Sequence, residues 1–530
     1  MRPTLLLALA IACAPGCAGT AGHRADAPAP VAPASFAFEE ADIAGLQARM
    51  AAGSLTSHAL TQAYLDRIAA LDDAGPNLNA VIELNPDALA EADALDAERQ
   101  AGHARGPLHG IPVLLKDNID ATPMVNSAGS LALAENRPKQ DAFLVERLRQ
   151  AGAVVLGKTN LSEWANIRST RSTSGWSARG GQTRNPYALD RNPCGSSSGT
   201  GSAIAANLAT AGIGTETDGS ILCPSAVAAL VGIKPTVGLV SRDGIIPISS
   251  SQDTAGPMAR SVADAAAILT AIAARDPGDD AASARPEGAA VDYGAHLKPG
   301  ALAGARIGVL RKSMGYQPGV DAATERAIAA MRAAGAEVVD AEIPTAGQWD
   351  EAELDVMLYE FKHGLARYLA GTDAPVRSLA DVIAFNRAHA DEELRWFGQE
   401  LFERAQAKGP LTDRAYLRAR DEARRLAGPE GIDVALRRQK LDALIAPSMS
   451  PAWLTDPVNG DHFTGAGYGA AAVARYPSIT VPMGEVQGLP VGITFLGTAW
   501  SEPRLIELAY AFEQATKARR PPRFPPSVTP

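Results

Sequence analysis

Residues 193–224 read PCGSSSGTGSAIAANLATAGIGTETDGSILCP, and the rest of the chain is interpreted outward from this stretch. It contains two clusters of glycine and hydroxyl side chains, at 195–199 and 214–220. The apolar run 203–209 between the clusters predicts a buried helix. Two polar turns beside a buried helix bring backbone N–H groups and hydroxyls together, which is the arrangement that a nucleophile and an oxyanion require.

The composition is that of a soluble globular protein. The chain has 530 residues, of which 46% are hydrophobic and 20% charged, and this length is ample for a large core. Lysine and arginine total 49 against 59 acidic residues, so the net charge is −10. This charge and the lack of a basic run argue against a non-specific nucleic-acid binder.

The N-terminus has the features of an export signal. A short positive region is followed by an apolar run at 5–14 that is too short to span a bilayer. Cys17 is a candidate for lipid acylation, with simple secretion as the alternative. We therefore expect an exported protein, periplasmic or secreted. Its predicted parts are a signal peptide at 1–17, an Ala/Pro-rich tether at 18–38, one folded domain at 39–520 and a Pro-rich tail at 521–530.

Helix and strand patterns alternate through the folded part of the chain and predict an α/β fold. We expect one large domain in which helices cover both faces of a mixed central sheet. Residues 349–440 show mainly helical patterns, and 169–191 form a long loop. Strands are predicted at 79–84, 110–115, 153–157, 230–235, 306–310, 337–342, 441–446, 478–481 and 491–496, and helices at 42–52, 57–71, 86–101, 141–150, 203–209, 261–274, 320–334 and 503–516.

The strand at 110–115 ends abruptly in Lys116, which makes this lysine a candidate base. Desolvation lowers the pKa of a lysine and lets it accept a proton. The alternative is an ordinary exposed lysine at the end of a strand.

Cys194 and Cys223 each lie beside one of the two hydroxyl clusters. Their positions leave open whether they form a disulfide, since two cysteines do not define a disulfide framework. Neither has Cys or His neighbours at the spacing of zinc ligands, so no metal is expected.

Three other readings of the chain are weaker. Residues 195–199 match G-x-S-x-G with Ser197 central, but an α/β-hydrolase elbow needs a strand directly before it, and 185–193 reads as a loop. The available downstream histidines, His363, His389 and His462, lie in no recognisable motif. A phosphate-binding loop would need a G-K-[ST] sequence that is absent here. An exported solute-binding protein would explain the size and tether but not the hydroxyl clusters.

Three motifs in this order resemble the amidase signature family. They are GIPVLLKDN at 110–118, GSSSG at 195–199 and GTETDGS at 214–220, and the resemblance covers about 40–515. Within the family, 214–220, 241–247 and 458–463 most resemble bacterial peptide amidases. The resemblance implies the amidase signature fold and no cofactor.

The resemblance also implies a Ser–Ser–Lys triad. Ser220 matches the nucleophile, Ser196 the bridging serine and Lys116 the base. The backbone amides of Thr217, Asp218 and Gly219, with that of Ser220, match the oxyanion hole. A cis peptide bond is expected between Gly195 and Ser196.

The activity implied is amide hydrolysis through an acyl-enzyme, with C-terminal peptide amides as the expected substrates. The partner is then a small-molecule or peptide amide, with no nucleic acid and no membrane span. A broad aryl- or fatty-amide hydrolase of the same family is the first alternative, and a non-catalytic binding lipoprotein is the second.

Three positions depart from the family pattern. Asp218 stands where glycine is common, so it faces either the cationic or amide end of a peptide or serves only the turn. Glu216 replaces the usual aspartate. Leu222 replaces an arginine, which makes small amides that carry a carboxylate less suitable as substrates. Aromatic residues between 349 and 470 are candidates for a pocket or for core packing, namely Tyr359, Phe361, Trp396, Trp453 and Phe463.

Overall fold

The computed structural model describes residues 36–289 and 292–528. The predicted signal peptide, Cys17 and the tether up to residue 35 lie outside the described residues. Residues 521–528 contain no helix or strand, and they pack against the domain. The Phe524 N–H donates to the Pro186 carbonyl at 3.1 Å, and the Phe524 side chain is buried.

One mixed sheet of eleven strands forms the centre of the described structure, in the order β1-β3-β2-β6-β8-β7-β12-β13-β11-β9-β10. A separate two-stranded hairpin, β4–β5, lies within the long loop predicted at 169–191. The strands are β1 (Val81–Leu84), β2 (Pro112–Lys116), β3 (Val154–Thr159), β4 (Trp176–Ser177), β5 (Gly181–Gln182), β6 (Ala211–Glu216), β7 (Val231–Lys234), β8 (Thr254–Ala259), β9 (Arg306–Leu310), β10 (Glu337–Ala341), β11 (Ala443–Pro447), β12 (Ser478–Val486) and β13 (Leu489–Leu496).

Helices cover the sheet on both faces, as predicted. Helices α4, α7, α16 and α8 pack side by side on one face, and α5 and α6 pack together on the other. The helices are α1 (Ile43–Ala51), α2 (Ser57–Leu71), α3 (Ala88–Gln100), α4 (Phe143–Gln150), α5 (Ser198–Ala205), α6 (Leu222–Val227), α7 (Val262–Ile272), α8 (Pro318–Ala333), α9 (Asp350–Ala370), α10 (Leu379–Ala388), α11 (Ala390–Glu393), α12 (Glu400–Gln406), α13 (Arg414–Ala427), α14 (Asp433–Gln439), α15 (Gly469–Ala474) and α16 (Glu502–Thr516).

The parallel pairing of β2 with β6 positions the site. Leu115 is opposite Ile213 in this pairing, so both strands end at the same edge of the sheet. Every residue of β2, including Lys116 at its end, is buried. The lysine therefore lies beside the turn that follows β6.

Two local predictions are wrong around the opening stretch. The buried helix is α5, which begins at Ser198 rather than at 203 and ends before 209. Its small residues allow close packing, because a Cβ on Gly199 would lie 2.3 Å from the Ala80 carbonyl oxygen. Residues 214–216 belong to strand β6 rather than to a turn. Strand β8 was not predicted, because its sequence contains glycine and proline, which are uncommon inside strands.

Among the described helices, none combines the length and apolar character needed to cross a membrane.

Candidate active site

Lys116 lies at the end of β2 in full burial, and its amine makes three close contacts. Its Nζ is 2.7 Å from Ser196 Oγ, 2.9 Å from Thr215 Oγ1 and 3.1 Å from the Thr215 carbonyl oxygen. Burial lowers the pKa of Lys116 to about 7, and the carboxylates of Asp253 and Glu216 only partly oppose this shift. A substantial fraction of the lysine is therefore neutral near pH 7.

The contacts of the Lys116 amine fit a neutral base. A neutral amine has two N–H groups and one lone pair. The two Thr215 oxygens can accept the two N–H groups, which leaves the lone pair for the hydroxyl of Ser196. The Asn118 side-chain amide fixes this arrangement by donating to Thr215 Oγ1 at 3.0 Å. Lys116 and Ser196 can therefore exchange a proton directly.

Ser196 follows the cis peptide bond between Gly195 and Ser196, which confirms the expected geometry there. The next residue ties the two serine segments together, because the Ser197 N–H donates to the Ser220 carbonyl at 3.1 Å. Ser197 itself is fully buried, and its hydroxyl donates to the Thr215 carbonyl at 3.1 Å. The Ser197 hydroxyl thus stabilises β6 through this hydrogen bond. Because Ser197 is buried, it is not the exposed nucleophile that the G-x-S-x-G interpretation requires.

A disulfide joins Cys194 to Cys223 with a Cα–Cα distance of 6.0 Å, which settles the alternative left open above. Cys194 lies two residues before Ser196, and Cys223 lies three residues after Ser220. The bond therefore links the chain on the two sides of the candidate serine pair. Within the described residues, no group of three His, Cys, Asp or Glu side chains is arranged to hold a metal ion.

Ser220 ends the turn that follows β6, and it is more open than its predicted partners. It is 9% exposed, whereas Ser196 and Lys116 are at 0%. Within the described part of the chain its hydroxyl has no hydrogen-bond partner. A serine that is accessible to solvent, ahead of a buried serine and a buried amine, has the order that a nucleophile and its relay require.

The turn before Ser220 is shaped by the Glu216 carboxylate. It accepts the N–H groups of Ile221 at 2.7 Å and Leu222 at 3.0 Å, and it also faces the N–H of Gly219. In contrast, the N–H groups of Asp218 and Ser220 have no acceptor among the described residues. These two amides are therefore available to an oxyanion, and the Gly219 amide is shared with Glu216.

Gly219 is required by both its backbone and its surroundings. Its φ is +80°, a conformation that favours glycine, and a Cβ would lie 2.3 Å from the ring of Tyr468. The tyrosine thus packs directly against the turn that presents Ser220.

Asp218 projects from the same turn and forms a carboxyl pair with Glu353 of α9. The Asp218 side chain is exposed. The protein atoms around it nevertheless reduce its solvation, which raises its pKa, and repulsion from Glu353 and then Glu216 raises it further. Burial also raises the pKa of Glu353. The Gln252 side chain donates to Glu353 at 2.8 Å and so holds one side of the pair.

The sequence-predicted residues come together in one place, and three others complete the site. Thr215, Asn118 and Glu353 were missed. The first two stand inside motifs that were recognised, at 110–118 and 214–220, and this membership was the available signal. No signal pointed to Glu353, because a single acid on a long helix is ordinarily solvent-exposed.

The aromatic residues divide into two groups. Tyr359, Phe361 and Trp453 are buried, whereas Trp396 and Phe463 are exposed. Leu222, which replaces the family's arginine, is fully buried among apolar neighbours.

Comparison with known proteins gives a consistent result. The family model described as Amidase matches residues 59–506. A probable amidase from Arabidopsis thaliana is 41% identical over 507 residues, which cover 92% of this chain and 93% of the relative. The crystal structure of native peptide amidase from Stenotrophomonas maltophilia is 64% identical, with a TM-score of 0.89, and the match covers 92% of this chain and 100% of that one. A peptide amidase in complex with the competitive inhibitor chymostatin matches with a TM-score of 0.90, the same identity and the same coverage.

Proposed function

Since the chain belongs to the amidase family and is an amide-hydrolysing enzyme, we propose that Ser220, Ser196 and Lys116 are its catalytic triad and that it deamidates C-terminal peptide amides. The observation that carries the triad is the 2.7 Å contact between Lys116 Nζ and Ser196 Oγ in a fully buried setting. A lysine with a pKa of about 7 can accept a proton at neutral pH, which an ordinary lysine does poorly.

The proposed reaction begins with a proton relay. Neutral Lys116 takes the proton of Ser196, and Ser196 takes the proton of Ser220 as the Ser220 oxygen attacks the amide carbonyl. The N–H groups of the turn, chiefly those of Asp218 and Ser220, stabilise the oxyanion. The proton returns through the relay to the departing nitrogen, and ammonia leaves.

Water then completes the cycle. It attacks the Ser220 ester and gives up a proton to the same relay, which returns it to the Ser220 oxygen as the ester breaks. The products are a peptide with a free C-terminal carboxylate and the regenerated enzyme. Acylation and deacylation therefore use the same three side chains, which first accept a proton from the attacking oxygen and then return it to the leaving group.

The preference for peptide amides is supported by the likeness to peptide amidases, one of them bound to a competitive inhibitor, chymostatin. The carboxyl pair of Asp218 and Glu353 is also suited to this substrate. Because the pKa of Glu353 is raised to about 7, the pair retains a proton near neutral pH. Its oxygens can then accept from the NH₂ of a carboxamide while its proton is donated to the carbonyl oxygen.

Replacement of the candidate nucleophile tests the triad. Ser220→Ala is expected to abolish turnover and labelling by a fluorophosphonate probe. Ser225→Ala is the matched control, because Ser225 lies on the adjacent helix α6 with a hydroxyl that has no partner among the described residues. Wild-type activity in Ser220→Ala would overturn the assignment.

A substrate panel tests the specificity. We expect hydrolysis of peptide amides to exceed that of aryl amides and fatty amides by at least about tenfold in kcat/KM, and free peptides to remain uncleaved. Faster turnover of aryl or fatty amides would instead establish the broader hydrolase activity.

We also propose that the protein is exported. The N-terminal pattern supports this, as does the disulfide, because disulfides persist mainly in oxidising compartments. Fractionation of cells that express the full chain would place it in the periplasm, the membrane or the medium. Loss of fatty-acid labelling in Cys17→Ser would identify a lipid anchor, and a cytoplasmic location would contradict the proposal.

A further inference from the structure

Three lysines are fully buried in the described structure, and one of them has neither a role in the proposed relay nor a counter-charge in contact. Lys116 is the candidate base. Lys158 forms an ion pair with Asp117 at 3.3 Å. Lys234, the last residue of β7, forms no ion pair among the described residues, and its amine donates one hydrogen bond, to the Pro235 carbonyl at 3.1 Å. A buried ammonium with so few partners is unfavourable unless another charge compensates it.

The pairing of the strands places Lys234 on the same face of the sheet as Glu216. Strand β8 lies between β6 and β7. The antiparallel register of β7 with β8, continued to the end of β7, places Lys234 opposite Gly256, and Gly256 is paired with Gly214 of β6. Glu216 follows Gly214 by two residues, so its side chain leaves the sheet on that face. On this face the acid and the lysine are therefore separated by two glycines and not by side chains of the sheet.

Glu216 connects this lysine to the active site. Its Oε2 atom accepts the N–H groups of Ile221 at 2.7 Å and Leu222 at 3.0 Å, and its Oε1 atom is buried without a hydrogen-bond partner among the described residues. An ionised carboxylate accepts stronger hydrogen bonds from N–H groups than a neutral carboxyl does. The turn that carries Ser220 is therefore held most firmly while Glu216 is charged.

The charge of Lys234 favours the ionised form of Glu216. Burial raises the pKa of Glu216, and the positive charge of Lys234 counteracts this more than any single hydrogen bond from the turn does. In return, burial lowers the pKa of Lys234 to about 8, and Glu216 is the strongest of the charges that oppose this shift. The other charged groups that act on Lys234 are Glu502, Asp218 and Arg475. The lysine is therefore mainly charged at pH 7.

We propose that Lys234 is a positioning residue for amide hydrolysis: its positive charge keeps the Glu216 carboxylate ionised, and that carboxylate holds the turn that presents Ser220 and the oxyanion-binding N–H groups. Lys234 takes no part in the proton relay. The inference rests on the proposed role of Ser220, and it gives a second buried lysine an electrostatic task in the same site.

Lys234→Met tests this role, because it removes the charge and leaves a side chain of similar length. We expect kcat for a peptide amide to fall by about tenfold or more at pH 6, where the uncompensated Glu216 takes up a proton. At pH 9 the fall should be less than about threefold, because Glu216 is then ionised without help and Lys234 of the wild type is itself largely neutral. Each value is compared with wild type at the same pH, so that the titration of Lys116 cancels.

This pH dependence separates a positioning role from a structural one. A general structural defect would lower kcat by the same factor at pH 6 and at pH 9. Lys517→Met is the control for the loss of a lysine, since Lys517 is exposed at the end of α16 and forms no ion pair among the described residues. It should match wild type at both pH values.

Glu216→Gln supplies a second measurement. The glutamine oxygen can still accept both N–H groups of the turn, but without a charge. We expect kcat to fall by about tenfold, and by the same factor at pH 6 and pH 9. Adding Lys234→Met to Glu216→Gln should lower kcat by less than about twofold further, because the lysine acts through the acid.

The inference is overturned if Lys234→Met keeps the wild-type kcat at pH 6, if its loss is equal at pH 6 and pH 9, or if the two substitutions lower kcat independently. Should Lys234→Met fail to fold, Glu216→Gln decides alone: a wild-type kcat there would show that the turn does not need a charged acid. Ser220→Ala distinguishes the two proposals. Activity in Ser220→Ala refutes the triad, whereas an inactive Ser220→Ala with wild-type behaviour of Lys234→Met refutes only the role of Lys234.

Discussion

The activity should follow the titration of Lys116. With a pKa of about 7, about a tenth of the lysine is neutral at pH 6 and about nine-tenths at pH 8. Because only the neutral amine can accept the proton of Ser196, kcat/KM for a peptide amide should rise about tenfold over this interval and then level off. The measurement is initial ammonia release at low substrate concentration, at constant ionic strength.

The charge of Asp253 offers a way to shift this profile. Its carboxylate favours the charged form of Lys116, and it accepts the Thr217 hydroxyl at 2.6 Å. In Asp253→Asn the side-chain oxygen can still accept the N–H groups of Ile248 and Ser249, while the new NH₂ donates to the Thr217 hydroxyl oxygen. The charge is removed, so the pKa of Lys116 falls and the rise in kcat/KM moves to lower pH. A rate that keeps climbing tenfold per pH unit up to pH 10, or one that does not change between pH 6 and pH 8, would refute a lysine base of lowered pKa.

Three further predictions concern stability. Gly219→Ala should lower the free energy of unfolding, measured by urea denaturation, by more than Gly488→Ala does. Both residues have positive φ, so both variants share a backbone cost of about 1 kcal/mol, but only a Cβ at Gly219 would meet a neighbouring ring. Equal losses in the two variants would contradict the packing described. The double variant Cys194→Ser/Cys223→Ser should lose about 3.5 kcal/mol, and a reducing agent should destabilise wild type but not the variant. Arg168 is fully buried and forms ion pairs with the buried carboxylates of Glu163 and Glu393. Arg168→Met should therefore lower the free energy of unfolding by about 3–5 kcal/mol, because both glutamates lose their counter-charge. A loss below about 1 kcal/mol in a thermal or chemical melt would contradict these buried ion pairs.

The fold class and the position of the lysine were predictable because they depend on simple patterns. A continuous apolar run gives a strand that is buried on both faces, and the residue that ends it must lie at the edge of the sheet. Lys116 is found there. Its proximity to Ser196 followed only from the family resemblance, since 80 residues separate the two and no periodicity relates them.

The local structure around the serines was less predictable, for a physical reason. Residues 214–220 were interpreted as a turn, although Gly214 lies in strand β6. Gly214 and its strand neighbour Gly212 instead make room for the helix α5 and the residue before it. A Cβ on Gly212 would lie 2.5 Å from the Thr200 side chain, so glycine here serves close packing rather than flexibility. A propensity for turns cannot be distinguished from a need for space without the neighbouring helix.

The disulfide also limits how far the candidate serines can separate when the fold is lost. In the oxidised chain, the shortest path from Ser196 to Ser220 runs through two residues, the 6.0 Å between the cysteine Cα atoms, and three more residues. Fully stretched, that path is about 24 Å long, against about 80 Å along the chain once the bond is reduced. In the oxidised unfolded ensemble the two serines therefore stay within this shorter distance of each other. The volume that their hydroxyls must search to meet again is limited by the covalent disulfide and not by the packing of the native fold.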